Sequence, residues 1–258
     1  MAGALQRATF NRAGLVRILS ETVPHANALH YDFGERLGQW LDFTDALALF
    51  SVLNASTGNA APAPTHPRAH ALQEQLTRTR RQLAQSIAND GVFTSEPAKL
   101  RFPTPLPEAT AESAADFSPY HRFYLAHQRD MSSAISALRT HARKALISLA
   151  PAHRQLAELD AAFEKALFSR ERHLLSLIPM LLAKRFAERL ATHRAQLPPG
   201  EADDPARWTA PDSWLAAFCQ DTQAVLLAEL DLRLKPVAGL IAALGKTADT
   251  PEDPPHEP

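Results

Sequence analysis

Apolar residues recur along this chain at the three-and-four spacing of an α-helix, and no run alternates apolar with polar β-branched residues as a strand would. The strongest signal begins at Ser118-Pro119, where proline's missing N–H and fixed φ suit a first helical turn. From there Tyr124, Met131, Ile135, Leu138, Ala142, Leu146 and Leu149 form a coiled-coil-like stripe. Pro151 either kinks this helix or opens the next one. A second arm carries Leu156, Leu159, Phe163, Leu167, Leu174, Leu177, Leu181 and Leu182, with a bend expected at Pro179 and an end at Pro198-Pro199-Gly200. Two long striped helices in succession pack antiparallel, as a helical hairpin.

Shorter elements flank the hairpin. Asn11 is a cap for a first helix whose Leu15, Ile18 and Leu19 share a face. Residues Ala28–Ala55 read as one or two helices, with Gly34 and Gly38 at the spacing that either admits a neighbouring helix or weakens this one. After a loop at Asn54–Thr65, Pro67 opens a helix with Leu72, Leu76, Leu83 and Ile87 as its stripe, stopped by Gly91. Prolines keep Pro97–Pro107 extended, and Ala109–Asp116 reads as a mobile linker. Beyond the Pro198–Pro211 loop, Asp212 or Ser213 caps a last long helix through Leu234. Trp214, Leu215, Phe218, Val225, Leu226, Leu227 and Leu230 make its apolar face broad enough to be buried on more than one side. Pro236 is expected to break it, Val237–Leu244 to add a short helix, and Lys246–Pro258 to form a disordered acidic tail.

The expected fold class is therefore all-α, a helical bundle built on a long antiparallel helical hairpin. Its expected divisions are an N-terminal helical region (1–96), a Pro-rich linker (97–117), the hairpin with C-terminal helices (118–245) and the tail (246–258).

Composition agrees with a folded chain. Of 258 residues, 45% are hydrophobic and 21% charged, near the averages for globular proteins. The 20 prolines gather at the expected boundaries. A single cysteine, Cys219, can form neither an internal disulfide nor a structural zinc site, which fits a reducing, cytoplasmic compartment. The N-terminus has no signal-peptide pattern. The longest apolar stretch, Leu174–Ala183, falls short of the roughly 20 residues a membrane span needs, so no span is expected.

Charge alters the picture more. The net charge is −1, yet residues 120–195 hold 13 basic and 6 acidic residues while 196–258 hold 4 basic and 11 acidic. Such blocks either pair within the chain or leave a basic surface for a polyanion. Arg139, Arg143, Lys144, Lys184 and Arg185 are the candidate interaction surface, with Arg78, Arg80 and Arg81 as further basic candidates. No helix-turn-helix, zinc-finger or RNA-binding signature accompanies them.

Candidate chemistry is sparse. His66 and His70 stand four apart but Pro67 intervenes, and His121, His127, His141, His153, His173 and His193 share no carboxylate spacing. No metal site and no cofactor is expected from them. Glu35, Asp42 and Asp45 lie close enough for general acid–base work, though such carboxylates are more often the wet side of a helix, or a cap at Asp42. Cys219 has no histidine in its helix to activate it and reads as a small buried hydrophobe. Gly245-Lys246-Thr247 lacks the upstream glycine and strand of a phosphate loop.

The run WLAAFCQDTQAVLLAELDLRLKPVAGL from Trp214 to Leu240, with RLGQWLDFTDA from Arg36 to Ala46, resembles a proteobacterial family of all-helical proteins known as a domain of unknown function. The resemblance supplies no catalytic or binding residues. It implies genes lying near those of motor-stator-like and outer-membrane-porin-A-like envelope proteins, and hence a role beside a membrane complex.

Three functional expectations follow. The first is a non-enzymatic helical interaction protein, an adaptor or regulator of a membrane-associated assembly, whose partner is another protein and which is able to form oligomers. The second is a nucleic-acid-associated protein using the basic 120–195 helices. The third is a small enzyme with a site near the Glu35–Asp45 helix.

Overall fold

The computed structural model describes residues 14–22, 40–54, 67–89, 91–92, 99–149 and 151–245, and among these every regular element is helical. The elements are α1 (Gly14–Thr22), α2 (Phe43–Leu53), α3 (Pro67–Ala88), α4 (Ala111–Ala114), α5 (Ser118–Ile147), α6 (Pro151–Ser176), α7 (Ile178–Gln196), a 3₁₀ turn (Pro205–Arg207) and α8 (Trp214–Gly245). The expectations for Asn11, Gly34, Glu35, Gly38, the 55–66 loop and the acidic tail lie outside the described residues. The structure is all-α, as the periodicity predicts.

The starts of the long helices follow local chemistry. Ser118 begins α5, and its N–H and hydroxyl both donate to Asp116 Oδ1, at 2.9 and 2.8 Å. These bonds hold the Asp116 carboxyl below its ordinary value. Pro151 opens α6 rather than kinking α5. At Pro179 the second arm does more than bend: it is divided at Leu177, and Pro179 sits in the first turn of α7, where its missing N–H costs nothing.

The chain divides into two compact units that do not follow chain order. The first takes its described residues from Arg80–Ser133 and Phe168–Arg233, together with α1 and Trp40. Here the hairpin is antiparallel: Phe117 meets Phe186, and Gln128 donates to the Leu175 carbonyl. α8 runs parallel to α5, since Tyr120 faces Phe218, Tyr124 faces Glu229 and Ser132 faces Arg233. It runs antiparallel to α7, where Trp214 meets His193 and Asp221 meets Arg185. It is likewise antiparallel to α3, where Gln223 reaches the Ile87 and Ala88 carbonyls and Asp231 reaches Arg80. Alternating direction gives an up-down-up-down four-helix bundle.

Trp214, Leu215, Phe218, Cys219, Val225, Leu226 and Leu230 of α8 are all buried, so the helix is enclosed on several sides, although Leu227, placed on the same broad face by the sequence, is 36% exposed. Phe102 was hidden from sequence reasoning inside the expected linker. It is buried and packs against Tyr120 and Phe123 at 5.2 and 5.4 Å between ring centroids. The Ala109–Asp116 stretch, expected as a mobile linker, contains α4, capped by Thr110, and its Ala111 carbonyl accepts from Arg194.

The second unit takes its described residues from Leu41–Thr79, Ala134–Leu167 and the segment of α8 after Leu234. The hairpin register persists, with Arg139 opposite Asp160 and Glu164, and Arg143 opposite the same two residues. The α5 stripe is buried through Ile135, Leu138, Ala142 and Leu146, as predicted. α2 lies against α6, because Gln155 Nε2 donates to the Val52 and Leu53 carbonyls at 2.7 and 3.1 Å.

Two further expectations require correction. The second-arm stripe was misplaced in part: Leu174 is 48% exposed, while Leu175, Ile178, Leu182, Phe186 and Leu190 are buried. Adjacent leucines at 174–175 and 181–182 offer two registers, and helical spacing alone cannot choose between them. Pro236 does not end the last helix, which continues from Trp214 to Gly245. Pro236 is exposed, so water can reach the carbonyl that loses its N–H partner, while the burial of Leu234, Val237, Leu240, Ile241 and Leu244 carries the helix through.

An exposed proline inside a helix costs up to about 3 kcal/mol relative to alanine, partly offset by its stiffening of the unfolded chain. Pro236→Ala is therefore expected to stabilise the protein by about 1–2 kcal/mol, read as a higher urea midpoint at unchanged m-value.

Candidate interaction surface

The five basic candidates divide into two groups. Arg139 and Arg143 are 14% and 17% exposed, and both converge on Asp160, itself 12% exposed. Arg139 grips Asp160 with two nitrogens, at 2.6 and 2.9 Å, and adds Glu164 at 3.2 Å. Arg143 reaches Asp160 and Glu164, each at 2.6 Å. The paired carboxylates come from the opposite arm of the hairpin, within the basic block itself. Arg185 is held by Asp221 at 3.0 Å, and Arg189 binds the same carboxylate at 2.7 Å. This last pairing joins the basic block to the acidic last third. Lys144 and Lys184 stand exposed. Of the other basic candidates, Arg80 pairs with Asp231 at 3.0 Å.

Of the acid candidates, Asp42 is engaged. Asp42 is the N-cap of α2, accepting the Asp45 N–H at 2.7 Å. Glu35 lies outside the described residues. Cys219 is fully buried, as a small hydrophobe would be.

Histidines sit singly along the helices. His70 faces Glu74 at 3.7 Å on an exposed surface, His121 stacks on Phe117, and His127 is buried edge-on to Phe123. His193 differs: it meets Asp203 at 2.8 Å, and Trp208 Nε1 donates to the same oxygen at 2.7 Å. Burial pushes the Asp203 carboxyl up, but the bonds from His193 and Trp208 outweigh it and leave the group below its ordinary value. Asp203 sits in a proline-rich loop, so no helical spacing links it to His193. Among the described residues no group of three or more His, Cys, Asp or Glu side chains is placed to hold a metal ion.

One ionisable cluster is enclosed in the first unit, at the end of the stripe that sequence reasoning took as purely apolar. Glu229 is wholly buried. Tyr124 donates its hydroxyl to Oε2 at 2.6 Å, and Gln128 Nε2 lies 3.0 and 3.1 Å from the two oxygens. Arg233, one turn along α8, brings Nε and a terminal nitrogen to Oε1 at 2.7 and 2.6 Å. Both oxygens of the carboxylate accept from side chains of α5 and α8, so the cluster binds the two helices together. Burial, then the charge of Glu229, raises Tyr124 well above its ordinary value of 10.0.

The remaining feature is apolar, and helical spacing in the sequence singles out two of its residues, Leu47 and Phe50, together with Val52. On α2, Phe43 is 84% exposed, Leu47 56%, Phe50 63% and Leu53 59%. They fall at i, i+4, i+7 and i+10, one side of a helix, while Leu49 is buried and Asp45 and Val52 are half-buried on the other side. The Asp42 cap and the Asn54 amide on the Phe50 carbonyl at 2.8 Å close the helix ends, and the Gln155 bonds with buried Leu49 hold the helix with this side outward. Helical periodicity announces such a stripe but cannot say whether a core covers it.

The chain belongs to the family described as a protein of unknown function, DUF3348, whose model matches residues 1–246. No curated protein and no solved structure matches it. No described helix is long and apolar enough to cross a membrane.

The Glu229 cluster makes two tests. Glu229→Leu strands the Arg233 guanidinium and the Tyr124 hydroxyl in the interior and is expected to cost about 3–5 kcal/mol, against about 1–2 kcal/mol for Tyr124→Phe, in urea unfolding. Because Tyr124 and Tyr120 are both raised, the first by burial and Glu229 and the second chiefly by burial, their contribution to stability is present below pH 10 and declines above it. In an alkaline titration followed at 295 nm, two of the chain's three tyrosines are expected to ionise only as the protein unfolds.

Proposed function

We propose that this member of a family of unknown function is a non-enzymatic helical interaction protein. In that reading it is a cytoplasmic adaptor or regulator of a membrane-associated assembly, and its contact face is α2. The observation that carries the proposal is the stripe of Phe43, Leu47, Phe50 and Leu53, four large apolar side chains more than half exposed on one short helix. Scattered exposed apolar residues are ordinary, but four on one side of a short helix tied to α6 at its C-terminal end suit a contact surface.

The charged groups support the same reading. Nucleic-acid binding needs cations facing phosphates, and three of the five basic candidates, Arg139, Arg143 and Arg185, are already paired with carboxylates. Of the acids proposed for an acid–base site near α2, Asp42 has its carboxylate engaged as a cap. The membrane-associated setting rests on the envelope-gene neighbourhood that the family resemblance implies, and the compartment on the single, buried thiol.

A photo-crosslinking residue at Leu47 is expected to trap a discrete protein species in cells, while the same residue at Lys184 traps none. A folded chain that forms no adduct from Leu47 refutes the proposal.

A further inference from the structure

The stripe on α2 has the pattern of a two-helix seam. Phe43, Ala46, Phe50 and Leu53 recur at the a and d positions of a heptad, with Leu47 beside them, and all five are exposed. In an antiparallel pair, a positions of one helix face d positions of the other. Turning α2 on itself about an axis beside Ala48 sets Phe43 against Leu53 of the second copy and Ala46 against Phe50. The second layer matches a large side chain to a small one, so the same eleven residues offer both the projection and the recess. We propose that α2 pairs antiparallel with α2 of a second copy of this chain, forming a two-fold symmetric dimer. This rests on the reading of α2 as a contact face and names its occupant.

Chemistry and area favour a second copy over other occupants. Residues Phe43–Leu53 include no lysine or arginine, and their one acid, Asp45, is half-buried on the opposite side. A charged partner finds no complement there, and an anionic membrane surface finds none of the cations that interfacial helices carry. At about 200 Å² per large apolar residue, the four exposed side chains leave about 500 Å² to water. Two copies then cover about 1,000 Å², the lower limit for a specific interface. The pairing is accordingly weak and concentration-dependent, with a Kd of about 10–100 µM. Two-fold symmetry satisfies both apolar faces at once and leaves no open end for further growth.

Sedimentation equilibrium of the full chain, from about 1 to 500 µM, tests this. The wild-type chain is expected to show a monomer–dimer equilibrium. Phe50→Ala, which leaves alanine opposite alanine, and Ala46→Phe, which sets phenylalanine against phenylalanine, are each expected to weaken it at least about fivefold. The double variant Ala46→Phe/Phe50→Ala restores a large–small layer and is expected to return within about twofold of wild type. Phe50→Asp is expected to abolish the dimer and leave Tm within about 2 °C, because the residue is free of the monomer's core. The pairing is overturned if the chain is monomeric throughout, if the double variant is weaker than both singles, or if wild type binds lipid vesicles through Phe50 without dimerising. A monomer whose Leu47 crosslinks a different protein in cells ends self-pairing and keeps the contact-face reading. A monomer strongly destabilised by Phe50→Asp ends both, since the face is then covered within its own chain.

Discussion

A helix buried on several sides can carry charge only where neighbouring helices deliver matching groups, and this constraint organises α8. Its apolar residues recruit α3, α5 and α7 around it in the first unit, so an ionisable residue on its buried sides needs a partner from one of them or from its own next turn. Asp221 receives Arg185 and Arg189 from α7, Asp231 receives Arg80 from α3, and Glu229 receives Tyr124 and Gln128 from α5 with Arg233 from α8. Apolar burial supplies most of the stability and tolerates sliding. The charge pairs tolerate little, because a shift of one turn would strand a carboxylate in the interior. Glu229, with no exposure at all, imposes the strictest match.

The same logic governs the hairpin in the second unit. Arg139 and Arg143 lie one turn apart on α5, as Asp160 and Glu164 do on α6, and the four groups close into one largely buried cluster. The planar guanidinium of arginine fits this arrangement, since each offers several donors to two carboxylates at once. What looks in the sequence like a basic surface is here the inner side of a hairpin. The excess of positive charge between residues 120 and 195 is thus partly a device for holding register.

Beside these paired groups, the described residues include an uncovered apolar side on α2. α2 owes its placement to the Gln155 bonds at its C-terminal end and to one buried leucine, Leu49, rather than to burial of its greasier side. That is an unusual distribution for an eleven-residue helix, whose side chains would ordinarily turn the larger apolar face inward. The carbonyls of Val52 and Leu53 that accept from Gln155 oppose that rotation. The helix is in this sense presented, and the contact-face reading follows from its orientation more than from its composition.

The hairpin, the buried α5 stripe, the cap-and-proline signals at Ser118 and Pro151 and the broad burial of α8 were legible in the sequence, because spacing, proline geometry and apolar content act within a few residues of one another. The register of the second arm, the continuity of α8 through Pro236 and the anchoring of Phe102 were not, because each depends on which neighbour arrives to pack. The candidate surface shows the same division. Sequence marked Arg139, Arg143, Lys144, Lys184 and Arg185 as cationic, and only the folded chain decided that three of them face carboxylates and two face water. Local order determined that this protein is built of helices and where they begin. Which faces meet, and which one is left bare on α2, was decided by tertiary packing, where burial and charge pairing must be satisfied together.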